Sequence, residues 1–308
     1  MSDVLTITGG GISASISTFG AELVSLKNGS REYMRTPDRM WKRTAPVLFP
    51  ICGRLKDGSY RYNDREYSLP IHGFASSSEF TVKKHTDDTL ELMLTDNDKT
   101  FTVYPFRFCF TVSFSAADGK LAVLYTVKNN GNDDMYFSVG CHEGYSVPSI
   151  ENCTLLLSRN ERPYSLTVDG NGLLDGGFAD LKKYISAYDD DRIALRLNDD
   201  ALSSLDTVIL KSASTKCVEL CDRGSGKTIT VESSGLDNLL FWKAPGSDFL
   251  CIEMWSGLPD TSDCGGRLEN KLGITRLGAG EQKTFKHIIS VISAVKSAGH
   301  IKSTECVL

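Results

Sequence analysis

One arginine, two histidines and one glutamate, each beside a glycine or inside an apolar run, are the residues of this chain best suited to acid–base chemistry. Arg54 follows Gly53 in Phe49-Pro50-Ile51-Cys52-Gly53-Arg54-Leu55, and eighteen positions on His72 precedes Gly73 in Pro70-Ile71-His72-Gly73-Phe74. His142 lies in Val139-Gly140-Cys141-His142-Glu143-Gly144-Tyr145, and Glu253 in Phe249-Leu250-Cys251-Ile252-Glu253-Met254-Trp255. A neutral imidazole donates or accepts a proton at physiological pH. A carboxylate between apolar neighbours is costly to bury, and desolvation raises its proton affinity toward that of a general base working near neutrality. A guanidinium gives paired hydrogen bonds to hydroxyls or to a carboxylate. Together these groups suit proton transfer on a neutral, polyhydroxylated ligand.

Each residue also has a plainer reading. Glu253 reads equally as a strand-edge carboxylate facing solvent or an arginine, His142 as a ring capping a backbone group, and His72 as a turn residue packed on Phe74. Arg54 reads as an ion-pair partner of Asp57 or Glu66. Trp41, Phe241, Trp242 and Trp255 offer flat faces on which a sugar stacks, or fill the core. His85, His287 and His300, in polar or terminal settings, read as structural or surface residues. Asp260 and Asp263 are the local candidates for a second carboxylate of a glycosidase pair. No P-loop, dinucleotide fingerprint, G-x-S-x-G or H-E-x-x-H pattern occurs in the sequence, which removes several enzyme classes.

The elements that must position these groups read as strands. Phe106, Phe108, Phe110, Val112 and Phe114 alternate with Arg107, Thr111 and Ser113, the period of a half-buried strand. Ala117-Asp118-Gly119 supplies turn chemistry, and Leu121, Val123, Tyr125 and Val127 resume the alternation. Similar segments recur along the chain, and only Phe178 to Ile185 and Asp200 to Leu205 read as short helices. On the Glu253 strand, alternation sets Phe249, Cys251 and Glu253 on one face and Leu250, Ile252 and Met254 on the other. The expectation is an all-β, mostly antiparallel sandwich. It occupies 1–294 as a single domain, with 295–308 a weakly ordered tail.

The net charge of −5, without a basic cluster, argues against a nucleic-acid partner. No apolar run is long enough to span a membrane. The nine cysteines are odd in number and irregular in spacing, so they form neither a disulfide framework nor a zinc set. Free thiols in such numbers, with no signal peptide, point to a reducing, cytoplasmic location.

In this order the Ala45–Phe80 stretch, the His142 loop and the Cys251-Ile252-Glu253 strand resemble the aldose 1-epimerase (galactose mutarotase-like) superfamily, and within it the LacX-like branch. Gly20-Ala21-Glu22-Leu23 and Leu277-Gly278-Ala279-Gly280-Glu281 extend the likeness over nearly the whole chain. The resemblance implies a large antiparallel β supersandwich with few short helices, acting on a hexose as a monomer or homodimer without a metal or other cofactor. It places the substrate arginine at Arg54, the two active-site histidines at His72 and His142, the base at Glu253, and an aspartate holding sugar hydroxyls at Asp206. Trp242 would add a stacking face. Glu253 would take the proton of the anomeric hydroxyl while His142 protonates the ring oxygen. Two departures stand out: the branch has His-Pro where this chain has His142-Glu143-Gly144-Tyr145, and Glu-Pro-Trp where it has Glu253-Met254-Trp255. Glu143 is thereby expected to add a charge to the site. The alternatives are a non-catalytic sugar-binding or sensor protein, and a hexose-6-phosphate mutarotase using Arg31, Arg35, Arg39 or Lys42. Those four also read as a solvated charged face.

Overall fold

The computed structural model describes residues 2–293; the tail expected at 295–308 lies outside the described residues. Two large antiparallel sheets dominate. One has ten strands, running in space from Ile185–Ala187 through Cys217–Asp222, Gln282–Ser293 and Phe108–Ala117 to Thr81–His85. The other has six, in the order Glu143–Ser146, Phe249–Trp255, Asn238–Trp242, Thr207–Leu210, Tyr164–Val168 and Leu174–Asp180. Apolar side chains of both sheets share one buried cluster, among them Phe110, Tyr125 and Ile289 of the first and Leu250, Ile252 and Met254 of the second. The expected sandwich is therefore present.

The alternation read from Phe106 onward is realised. Phe108–Ala117 buries every second residue, and it pairs with Lys120–Asn129 from Ala117–Lys120 to Phe108–Asn129. Asp118 and Gly119 make the turn with φ of 50° and 72°. A two-residue hairpin turn of type I′ needs positive φ at both central positions to follow the strand twist.

The Ala45–Ile51 segment is locked onto this core. Phe49 is fully buried, with the rings of Phe110 at 4.5 Å and Phe108 at 5.2 Å. Each such aromatic pair contributes about 0.5–1.5 kcal/mol beyond area burial. At its entrance, Oε1 of Glu22 accepts from the backbone N–H groups of Thr44 and Ala45 at 2.6 and 3.0 Å. The chain thus arrives at Arg54 with little freedom.

The helices differ from expectation. Asp199–Leu205 is an α-helix, capped by Asn198, whose side chain accepts from the Ala201 N–H at 2.8 Å. Phe178 to Ile185 is not helical: the strand Leu174–Asp180 runs into a 3-10 turn at Lys182–Tyr184. Gly176 and Gly177 weaken a helix there, and Asp180 starts the turn by accepting from the Lys182 N–H. A helix at Asp98–Val103, with a reciprocal cap between Asn97 and Thr100, had not been expected. No helix among the described residues is long and apolar enough to cross a membrane.

Candidate active site

The Phe249–Trp255 strand is buried along its length, and its two faces go where alternation puts them. Leu250, Ile252 and Met254 join the main core. Phe249 and Cys251 pack instead with Ala244, Trp41 and Trp242. Glu253 shares that second face and is only 1% exposed. Register supplies its neighbours. On one side Leu240 pairs with Glu253 and Trp242 with Cys251. On the other, Glu143 pairs with Ile252, and one further step along the ladder brings His142 opposite Glu253. Nε2 of His142 lies 3.4 Å from Oε2 of Glu253.

A loop pair closes over this face. The His72 N–H donates to the Gly53 carbonyl, and the Phe49 N–H donates to the His72 carbonyl. At Gly73 one backbone approaches another closely. A Cβ there would stand 2.4 Å from the Phe49 carbonyl oxygen. Nδ1 of His72 accepts from the Gly53 N–H at 3.1 Å. The neutral ring therefore carries its proton on Nε2 and is a donor. The rings of His72 and His142 meet edge to face at 5.5 Å.

Arg54, His72, His142, Asp206, Trp242 and Glu253 all line one cavity of about 530 Å³. His142 and Glu253 form its floor. Trp41 lies over His142 at 4.9 Å, and Trp242 stands edge-on to both at 5.4 and 5.6 Å. Trp255 also lines the cavity, whereas Phe241 is buried in the main core. Arg54 and Asp206 are exposed at the rim rather than in apolar settings. Asp206 ends the Asp199–Leu205 helix with φ 57°.

The floor is buried, and this sets its protonation. Burial pushes His142 down to about 4, against the opposing charge of Glu143. Burial, reinforced by Glu143, raises the carboxyl of Glu253 well above its ordinary value. His72 is held well below its usual value, first by burial and then by the charges of His142, Arg54 and Lys271. Burial thus opposes charge on both groups and favours a neutral imidazole beside a neutral carboxyl. Nδ1 of His142 and Oε2 of Glu253 find no hydrogen-bond partner among the described residues. Buried polar atoms are ordinarily satisfied; for Oε2 the nearest polar group is Nε2 of His142, at 3.4 Å.

Several expectations need correction. Glu143 adds no side chain to the cavity: it points to the opposite face and pairs with His287, Oε1 to Nε2 at 3.2 Å. His287 is fully buried rather than in a polar setting. Asp260 is no partner for Glu253. Its Oδ1 accepts from Lys271 Nζ and its Oδ2 from the Lys56 N–H, both at 3.0 Å, and its backbone N–H donates to the Arg54 carbonyl. It anchors the Arg54 loop. Arg35 is not solvated; it is 2% exposed and donates to the carbonyls of Trp41 and Arg43. Arg43, overlooked in the sequence, lines the cavity with its guanidinium held by Glu22 and the Ser76 carbonyl. Its only sequence signal was its nearness to Trp41.

Two buried sets bring three donor atoms within 4.8 Å: His142, Cys251 and Glu253, and Cys141, Glu143 and His287. Burial raises both thiols well above their ordinary range, and a thiolate is the metal-binding form.

Residues 3–266 match the aldose 1-epimerase family profile. The chain is 27% identical over 276 residues to the chromosomal LacX protein of Lactococcus lactis subsp. lactis, covering 84% of this chain and 90% of that one. It is similar to the solved structure of a galactose mutarotase related enzyme from Lactobacillus acidophilus, 29% identical with a TM-score of 0.86 over 96% of this chain and 99% of that one. A galactose mutarotase-like protein from Lactobacillus casei is 28% identical, with a TM-score of 0.84 over 94% and 100% of the two chains.

Proposed function

Because the chain belongs to the aldose 1-epimerase family, we propose that it interconverts the α and β anomers of an unphosphorylated hexose by opening and reclosing the sugar ring. The observation that carries this reading is the buried His142–Glu253 pair, 3.4 Å apart, each with an unpartnered atom in a cavity lined by tryptophan. At rest, burial keeps the shared proton on Glu253. Its transfer to His142 gives a carboxylate and an imidazolium. Glu253 then takes the proton of the anomeric hydroxyl while His142 protonates the ring oxygen, and the ring C–O bond breaks as the anomeric carbon becomes a carbonyl. Rotation of that carbonyl presents its other face, and the same two groups reclose the ring with roles reversed. Each positioned group contributes roughly 10²–10⁴-fold in rate. The Nε2–H of His72 polarises the sugar oxygens, Arg54 and Asp206 bind hydroxyls from the rim, and Trp242 offers a stacking face.

Two of the four cations suggested for a sugar phosphate are turned elsewhere, while Arg39 and Lys42 are exposed. Arg31 donates to the Gly226 carbonyl at 3.2 Å, and Arg35 to two carbonyls. This supports a free hexose. The binding-only reading rested on the altered loop after His142, but Glu143 faces the core. Polarimetry of freshly dissolved α-D-glucose and α-D-galactose tests the proposal. Acceleration by the native chain and its loss in Glu253→Gln is the expected result; no acceleration of either sugar rejects a free-hexose mutarotase.

A further inference from the structure

Neighbouring residues of a strand point to opposite faces, so the step from His142 to Glu143 carries the side chain from the cavity into the core. There Glu143, 4% exposed, meets His287, 0% exposed, at 3.2 Å. His287 belongs to the Gln282–Ser293 strand of the ten-stranded sheet. The pair thus ties the strand edge that carries His142 to the opposite leaf of the sandwich. Replacing a buried ion pair by apolar residues of similar volume is often neutral or stabilising. Stability alone gives this charge no purpose.

The groups around it leave Glu143 as the carrier of charge in this layer, with the His287 ring 3.2 Å away. Tyr125 stacks on His287 with centroids 5.7 Å apart. Cys141 and Tyr145 flank Glu143 on its own segment, and Cys251 lies on the adjoining strand. Burial raises all four of these groups well above their ordinary values, so they stay neutral. Arg35, packed against Gly144, is engaged by Asp38 at 3.1 Å and by backbone carbonyls. Glu143 remains ionised although burial opposes it, because the adjoining His287 ring, 3.2 Å away, and Cys141 hold its carboxyl low.

We propose that the Glu143–His287 pair is a positioning device for the reactive floor: it pins the His142 strand to the second sheet and presents a fixed negative charge, through the sheet, to His142 and Glu253. The proposal rests on the reading that these two residues exchange protons with the sugar. The consequence is specific. A negative charge behind the floor strengthens proton binding by both groups, as it does at His142 and, second to burial, at Glu253. It keeps one proton in the pair.

The test is Glu143→Gln, alongside the apolar double variant Glu143→Met with His287→Phe. The chain has five histidines, so the imidazole resonances can be followed by NMR, with His142 assigned by its loss in His142→Gln. In both variants the His142 midpoint is expected below that of the native chain. Both limbs of the kcat–pH profile move to lower pH, with KM little changed. Folded variants that titrate as the native chain does overturn the proposal. So does failure of the apolar double variant to fold, which would make the pair a structural support only. If Glu143→Gln alone misfolds, the double variant decides. The NMR midpoint reads the electrostatic link without turnover, so an inactive native chain would defeat the proposed function and leave this link separately measured.

Discussion

Replacing Glu253 by Gln is expected to lower activity and raise stability together. The side chain is 1% exposed, and its Oε2 lacks a partner among the described residues. Loss of the proton carrier costs about 10²–10⁴-fold in kcat, or roughly 3–5 kcal/mol of barrier. The stability change follows from linkage. In the unfolded chain a glutamate ionises above about pH 4.3; in the folded chain Glu253 keeps its proton well beyond that. Between those limits the folded state binds more protons, so this group's contribution to stability falls as pH rises. Glutamine is neutral in both states and escapes the penalty. At pH 7.5 the variant should gain up to about 4 kcal/mol, at about 1.4 kcal/mol for each pH unit above 4.3 over which Glu253 keeps its proton. For a chain of this size that raises Tm by roughly 2–4 °C per kcal/mol. Near pH 4 the gain should vanish, because both states are then protonated. Polarimetry and thermal melts at the two pH values measure both effects. Undiminished turnover refutes the role of Glu253, and a Tm lowered at every pH refutes the electrostatic account of the floor.

Three further outcomes follow from the same geometry. In Glu253→Gln, His142 remains buried and neutral down to about pH 4, whereas an unfolded histidine takes up its proton near 6.5; the unfolded state then binds more protons, and this group alone should lower stability by roughly 3 kcal/mol between pH 6.5 and 4, read in urea titrations as the difference from the same variant carrying His142→Gln. Asp260→Ala leaves Lys271, 2% exposed at its side chain, without its carboxylate, at a cost of roughly 3–5 kcal/mol in urea unfolding; Asp260→Leu with Lys271→Met should recover most of it. Arg54→Ala, at an exposed rim position, should leave stability within about 0.5 kcal/mol and raise KM by roughly tenfold or more, and an unchanged KM removes Arg54 from substrate binding.

What was legible in the sequence was what local periodicity encodes. The Phe106–Phe114 alternation gave a strand, Asp118-Gly119 its turn, and the odd–even split of Phe249–Trp255 the face that carries Glu253. What was hidden depended on register between distant segments. Nothing near His142 says that it stands opposite Glu253, and only the resemblance brought the six site residues together. The sense of Glu143 was misread because its face is set by pairing with Ile252, and its partner lies on a strand far along the chain. Arg35 reads as a surface charge until the carbonyls of Trp41 and Arg43 surround it. The helix expected at Phe178–Ile185 failed because strand pairing with Tyr164–Val168 outweighs a weak local preference.

The bond from the Lys56 N–H to Asp260 spans 204 residues of sequence. At a synthesis rate of about 5–20 residues per second, the Arg54 loop waits roughly 10–40 s for the residue that fixes it. Over that interval the apolar Ala45–Ile51 segment is already made while the Phe249–Trp255 strand that will lie beneath the cavity is not. Contacts of such sequence separation slow folding and lengthen the exposure of apolar chain. The two halves of this cavity are therefore born far apart in time.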